Sequence, residues 1–429
     1  MQPVLTKIVR RRLGDVVRER MREEPVVILQ GPRTVGKSTL LRSVAISLAR
    51  DIVDLDDLPT RDAVRGDPSL FVRATPPVFI DEFQHVPEVL DAIKAELNID
   101  ATSGRFVITG STRYATLPTA AQALTGRVHR IDVRPLSQGE AIEIREDFAE
   151  ALVEDPASLV DPVVSTTPRD DYISRIATGG FPMVLRRARP GDRERWFDDY
   201  LELVLERDVL ELTRVRQRQQ LPRLLHQLAS QTAQVLNISR AAAAIGMDKS
   251  TAENYTKLLE AVFLLKQLPA WGMTLGSRVA AAPKIHLVDS GLAARLLRLT
   301  ESKLAAATAA ALTEFGHLLE TFVVGEVCKQ LDWLGDPVFR GHWRTHDGDE
   351  IDLLIERGDG KIAAVEVKAG SRVPGEDLAT MLKLRRKLGG QFLGGVVLYT
   401  GARSYTYEDR IHVVPVDRLW RPRSTSSSG

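Results

Sequence analysis

The segment Gly31-Pro32-Arg33-Thr34-Val35-Gly36-Lys37-Ser38 fits G-x-x-x-x-G-K-[S/T] without a mismatch. The residue types suit one task, the holding of a triphosphate. Glycines let backbone N–H groups come close to phosphate oxygens, Lys37 brings a point charge toward the β- and γ-phosphates, and Ser38 offers a hydroxyl to a metal ion. The ligand expected here is ATP with Mg²⁺, along a contact stretch from Gly31 to Thr39. Downstream, Pro77-Val-Phe-Ile-Asp81-Glu82 is an apolar run ending in two acids. In that order after a phosphate loop, Asp81 is expected at Mg²⁺ and Glu82 as the general base for the attacking water; capping of the next helix is the plain alternative. Ser111, with Thr109 as its rival, is a candidate γ-phosphate sensor or a strand-end cap. Arg127 is either an arginine finger, acting within the chain or on a neighbour in a homo-oligomer, or a surface residue.

These groups need a scaffold that brings strand ends together. Val26–Gln30 is a short apolar run between Pro25 and Gly31, and a helical pattern opens at Ser38. Apolar runs at Val53–Leu55, Val78–Ile80, Arg105–Thr109 and Val128–Val133 alternate with helical segments. Strand alternating with helix predicts a parallel sheet covered on both faces.

The ordered series resembles a known family. Gly31–Ser38, Phe79-Ile-Asp81-Glu82-Phe-Gln-His-Val-Pro87, Thr109-Gly110-Ser111, Leu124-Thr-Gly-Arg127 and Pro135-Leu-Ser-Gln-Gly-Glu140 look like the bacterial and archaeal AAA-type ATPases that carry a C-terminal domain of unknown function, DUF4143. Gly179-Gly-Phe-Pro182, Glu206-Arg-Asp208 and Pro283-Lys-Ile-His-Leu-Val-Asp289-Ser-Gly-Leu292 extend the likeness over nearly the whole chain. The resemblance implies ATP binding and an architecture, and little about biological role. Thr125 stands where many relatives would carry alanine.

Beyond the loop, Asn237–Trp271 reads as a winged helix-turn-helix. Its second helix starts at Lys249 behind Asp248, a natural cap. That helix could meet a major groove, or serve as a lid or packing module, since Lys249 and Lys257 are its only basic residues. Further on, Asp349-Glu-Ile-Asp352 and Ala364-Val-Glu366-Val-Lys368 read as two strands. Residues two apart share a face, so Glu366 and Lys368 project together. Two carboxylates and a lysine at Mg²⁺ can hydrolyse a phosphodiester. The arrangement resembles the PD-(D/E)xK nuclease core, with Glu320 as the implied helix acid and Glu326 as the runner-up. Alternatively, E-x-K is a solvated strand pattern, and many domains on that core only bind a partner. His342 and His346 read as surface residues. Lys383, Arg385, Arg386 and Lys387 form a basic run that could track a phosphate backbone or face solvent.

At 429 residues, the chain is long enough for about three domains of roughly 150 residues each. The expected parts are a P-loop domain over 1–135, a helical region over 136–300 with its winged helix near 220–275, a nuclease-like α/β domain over 301–420, and a flexible tail over 421–429. A net charge of +1 excludes polyanion binding by bulk charge. One cysteine, Cys328, precludes an intrachain disulfide and fits a reducing, cytoplasmic setting. Apolar runs are too short to span a bilayer, and no secretory pattern opens the chain. Two functions follow. One is an ATP-driven machine that remodels or cleaves DNA. The other is a STAND-like ATP-dependent switch whose C-terminal domain only binds a partner.

Overall fold

The computed structural model describes residues 4–111, 113, 124–209, 219–274, 278, 281–306 and 308–422. Most of the expected tail, residues 423–429, lies outside them. Helix α1 (Leu13–Glu23) leads into β1 (Val26–Gln30), which is buried along its whole length. With β2 (Ile52–Asp54), β3 (Val78–Asp81), β4 (Phe106–Gly110) and β5 (Val128–Asp132) it forms a parallel sheet in the order β2-β3-β4-β1-β5. Alternate β1 residues serve opposite layers. Val27 and Leu29 pack with α1 and with α2 (Lys37–Ser47), while Val26 and Ile28 pack with α3 (Val89–Ile99). A sheet covered on both faces explains why its strands read as continuous apolar runs.

The middle of the chain is mostly helical. It contains α4 (Arg169–Thr178), α5 (Pro190–Leu203), α6 (Gln220–Ala229), α7 (Ile238–Ile245), α8 (Lys249–Ala261) and α9 (Ser290–Leu296). A small antiparallel sheet of β6 (Gln234–Val235), β7 (Leu265–Leu268) and β8 (Lys284–Leu287) has the order β6-β8-β7. The turn between α7 and α8 needs left-handed backbone at Gly246, φ 70°, and Asp248 then caps α8 by accepting the Thr251 N–H at 2.8 Å.

A long helix, α10 (Ala309–Leu331), leads into a mixed six-stranded sheet. Its strands are β9 (Phe339–Arg344), β10 (Glu350–Glu356), β11 (Ile362–Lys368), β12 (Phe392–Tyr399), β13 (Tyr405–Glu408) and β14 (Ile411–Pro415), in the order β13-β14-β12-β11-β10-β9. Helix α11 (Ala379–Leu388) makes the crossover between the parallel strands β11 and β12. The apolar core does not stop between these parts. One contiguous cluster joins Val27 and Leu29 of the first sheet to Phe181, Leu228 and Ile285 of the middle, Phe322 of α10, and Val365, Leu398 and Trp420 of the last part.

The segment Leu136–Glu140 is the polar counterpart of that shared core. Ser137 and Glu140 form a capping box around the turn Gln138–Ala141. Leu136 donates its N–H to the Gly180 carbonyl at 2.8 Å, and Gln138 donates its N–H to Glu326 Oε2 at 2.8 Å. Lys329 Nζ bonds the Leu136 carbonyl at 3.0 Å and Glu326 Oε1 at 2.6 Å. Asp289, which is buried, accepts N–H groups from Gly180, Gly291 and Leu292.

Glu146 closes this region by accepting the Gly139 N–H at 2.7 Å, while its Oε2 is buried without a partner. Burial, with Glu326 and Glu140 nearby, pushes its pKa up from 4.5 to about 7. The native state therefore holds this proton more tightly than the unfolded chain. The stability it contributes is complete below about pH 4.5 and is lost as pH rises through about 7. Glu146→Gln should flatten that fall in a series of thermal unfolding midpoints taken across the same window. An unchanged slope would assign the pH dependence to other groups.

Candidate functional site

The phosphate loop is shaped by what presses on it. At Gly31, φ 157°, a Cβ would lie 2.2 Å from the Val133 carbonyl oxygen. Gly36, at φ 95°, opens α2 from left-handed backbone. Pro32 and Val35 are buried, Arg33 is half-buried, and Thr34 and Thr39 are exposed. Lys37 is buried and bonds the carbonyls of Gly31 at 3.0 Å and Pro32 at 2.8 Å. The outside of the loop is held by Arg11. Its guanidinium is buried and donates to the Val35 carbonyl at 2.8 Å, the Arg134 carbonyl at 2.8 Å and Glu140 Oε1 at 3.1 Å. Arg11 is the middle of three consecutive arginines, Arg10–Arg12, and no local feature sets it apart.

Strands β3 and β4 carry the second half of the site. Asp81, at the end of β3, accepts a hydrogen bond from the Thr109 hydroxyl, and the Ser38 hydroxyl is near enough to favour its charged form. Burial is the largest influence on its carboxyl and raises its pKa, with Glu82 and Asp54 adding to the rise. A buried carboxylate with a serine hydroxyl beside it fits a divalent cation, whose charge would offset that penalty. Glu82 follows in left-handed backbone, φ 53°, and its N–H donates to Thr109 Oγ1 at 3.1 Å. Thr109 is thus occupied by the two acids. Ser111 accepts Gln84 Nε2 at 3.1 Å, and the same amide nitrogen donates to the Glu82 carboxylate. Gln84 thus links Glu82 to Ser111, with its Oε1 buried and unpartnered. It lies inside the quoted motif but has no charge to mark it.

Two residues past Ser111, Arg113 leaves the sheet. Its backbone N–H donates to the Ala261 carbonyl at 3.0 Å, its Nε to the Glu260 carbonyl at 3.0 Å, and its Nη2 reaches Glu260 Oε1 at 3.3 Å. The end of β4 is thereby fastened to the C-terminal end of α8. Arg127 is placed otherwise than an arginine finger within the chain requires. Because β5 runs parallel to β1 with Val26 opposite Val128, Arg127 stands at the N-terminal edge of the sheet. The loop lies at the other edge, about 16 Å away at ~3.3 Å per residue. Its guanidinium bonds Asn98 at 2.9 Å.

The C-terminal acids also depart from expectation. Glu320 Oε1, Glu350 Oε1 and Asp352 Oδ1 converge on one atom, Lys284 Nζ, at 2.7, 2.5 and 2.9 Å. Asp352 also accepts the Val367 N–H at 2.9 Å, and Glu366 pairs with Lys368 at 3.0 Å. Burial, then Asp352, pushes Glu366 up to about 8. Burial alone would lower Lys284, but Asp352, Glu320 and Glu350 outweigh it and raise the ammonium's pKa. The expectation that Asp352, Glu366 and Glu320 ligate a metal is therefore corrected, because a lysine ammonium takes the position between the carboxylates. Among the described residues, no group of three or more His, Cys, Asp or Glu is placed to hold a metal ion. Glu326 serves the Leu136–Glu140 turn instead. His342 is buried beside the Ala282 carbonyl at 3.2 Å, contrary to its surface reading, whereas His346 is exposed. In the basic run, Lys383 is bound to Asp349 and Arg385 to Glu408, while Lys387 lies over the Trp343 ring. Among the described residues, no helix is long and apolar enough to cross a membrane.

Three family models match the chain. They are an AAA domain over residues 23–142, a domain of unknown function (DUF8612) over 169–303 and a second (DUF4143) over 315–419. Uncharacterized proteins of Mycobacterium bovis and Mycobacterium tuberculosis are each 27% identical over 415 residues, covering 96% of this chain and 85% of theirs. Among solved structures, a Walker-type ATPase of Pyrococcus abyssi aligns at TM-score 0.39 and 15% identity, over 66% of this chain and 94% of its own. The RuvB Holliday junction branch migration motor of Thermotoga maritima aligns at 0.28 and 16%, over 62% and 93%.

Arg11→Ala would leave the Val35 and Arg134 carbonyls and the Glu140 carboxylate without their buried partner, a change of about 3 kcal/mol. It should lower the thermal midpoint and weaken binding of a fluorescent ATP analogue by about tenfold or more, since 1.4 kcal/mol is tenfold. Unchanged affinity would show that the loop keeps its shape without the clamp.

Proposed function

Starting from an AAA-type P-loop domain joined to a DUF4143 segment, we propose that this chain binds and hydrolyses ATP and uses the cycle to set the state of its middle and C-terminal parts. The observation that carries this reading is the convergence of Ser38, Asp81, Glu82 and Ser111 at the loop end of the sheet, with Gln84 joining the last two. Ser38 and Asp81 would hold the magnesium of Mg·ATP, whose charge offsets that building on the phosphate oxygens. Lys37 exchanges its bonds to the Gly31 and Pro32 carbonyls for phosphate oxygens. Glu82 accepts the proton of the attacking water and is aimed by Gln84. Ser111 reports the γ-phosphate, and Arg113 carries any shift of the β4 end to Glu260 and the end of α8. This is the behaviour of a regulated switch, and DNA cleavage forms no part of it.

A second reading, contact with DNA, has its own support. Lys249, Ser250, Asn254 and Lys257 are exposed on α8, the second helix of the helix-turn-helix. Since only two of these are basic, such binding would be weak and fall moderately with salt.

Glu82→Gln should retain Mg·ATP while losing hydrolysis by about a hundredfold or more. Lys37→Ala should lose hydrolysis with the fold intact. Phosphate release and nucleotide titration on the same preparations separate binding from chemistry, and full turnover in either variant defeats the site assignment. Arg113→Ala should leave hydrolysis measurable but abolish any nucleotide-dependent protection of α8 in hydrogen exchange. Unaltered protection would place the coupling elsewhere. Stimulation of turnover by duplex, single-stranded or branched DNA would favour the second reading, and none of them stimulating would favour the first.

A further inference from the structure

The metal implied by the nuclease-like pattern does not fit the C-terminal cluster, and that disagreement is itself informative. We propose that Lys284 is the resident cation of this cluster. In this reading it excludes divalent ions while β8 is docked and fastens β8 to α10 and β10.

The geometry is that of an ion site with an ammonium at its centre. Lys284 Nζ has carboxylate oxygens from three residues within 2.9 Å, and the side chain has no exposed surface. Glu320 comes from α10, Glu350 and Asp352 come from β10, and Lys284 from the small sheet of the middle region. The lysine therefore crosses between separate segments of the chain. Glu366 stands beside Asp352, and its Oε2 is buried with no hydrogen-bond partner, so one oxygen of the cluster is left over. Lys368 and Arg344 lie at the margin, on Glu366 at 3.0 Å and on Glu350 at 3.5 Å.

A divalent ion among these oxygens would meet the Lys284 ammonium at contact range, where like charges repel strongly in a poorly solvated interior. Conversely, removing the ammonium leaves buried carboxylates that want a cation. Hard oxygen ligands from several residues are what Mg²⁺ or Mn²⁺ takes. The lysine thus does by covalent tether what a free ion does by diffusion, and it ties that charge to the position of β8.

The experiment uses the full chain without nucleotide, in a Ser38→Ala background that removes a phosphate-loop cation ligand, with Mn²⁺ followed by electron paramagnetic resonance. With Lys284 present, no Mn²⁺ sensitive to Asp352→Asn should bind. Lys284→Met should create one such site, read as one bound Mn²⁺ per chain where the parent has none, and Asp352→Asn should abolish it. Circular dichroism and limited proteolysis establish that the variant is folded. Where methionine disrupts the fold, Lys284→Gln keeps a hydrogen-bonding side chain of similar reach and should open the same site. Two results overturn the proposal: Asp352-dependent Mn²⁺ binding with Lys284 in place, or a folded Lys284 variant that gains no ion.

Discussion

An ionised group buried away from water must find opposite charge or aligned dipoles, because its desolvation is otherwise too costly. At several places in this chain the partners lie on different segments. Arg11 finds Glu140 and two carbonyls of other loops, and Lys284 finds acids of α10 and β10. Arg134 of the first part and Arg340 of β9 share Asp332 at the end of α10, and together they outweigh burial to hold Asp332 down at about 2. Each pair acts as a fixed point between parts of the chain, since breaking it would strand a charge.

These fixed points surround the nucleotide loop asymmetrically. Its inner side is open to the ends of β3 and β4, where Asp81, Glu82 and Ser111 stand. Its outer side is held by Arg11, which also grips the Leu136–Glu140 turn. That turn is bonded in its own right to Gly180, Glu326 and Lys329. In the proposed switch, a change in loop shape would have two routes outward, one through Arg11 into this turn and α10, the other through Ser111 and Arg113 into α8. The continuous apolar core would make both routes stiff, because close-packed interiors transmit displacement instead of absorbing it.

Much of the first sheet was legible in advance. Val26–Gln30, Val78–Asp81 and Phe106–Gly110 are short apolar runs that end in, or are followed by, Gly or an acid, and that is how a strand buried on both faces reads. The phosphate loop was equally plain, because its chemistry needs glycines and a lysine at fixed spacing within one turn. Arg11, Gln84 and Arg113 were not legible. Each acts on a partner that the fold delivers from afar, as Arg11 meets Glu140 across 129 positions, and nothing local marks which arginine of a run turns inward.

The contrast is sharpest between the phosphate loop and the C-terminal cluster. Local chemistry was enough to mark out the phosphate-loop motif and the acids that follow it, because those residues are neighbours in a strand, a turn and a helix start. Glu366 and Lys368, read as sharing one face of a strand, pair at 3.0 Å, yet the same pattern with Asp352 implied a metal. Only the packed chain decided that the cation is Lys284, which comes from a strand 68 positions before Asp352. Arg127 likewise looked eligible from order alone until strand direction put it at the far edge of the sheet. Charge neutralisation and strand polarity are properties of the assembled fold, summed over everything that comes near, and no window along the sequence contains them.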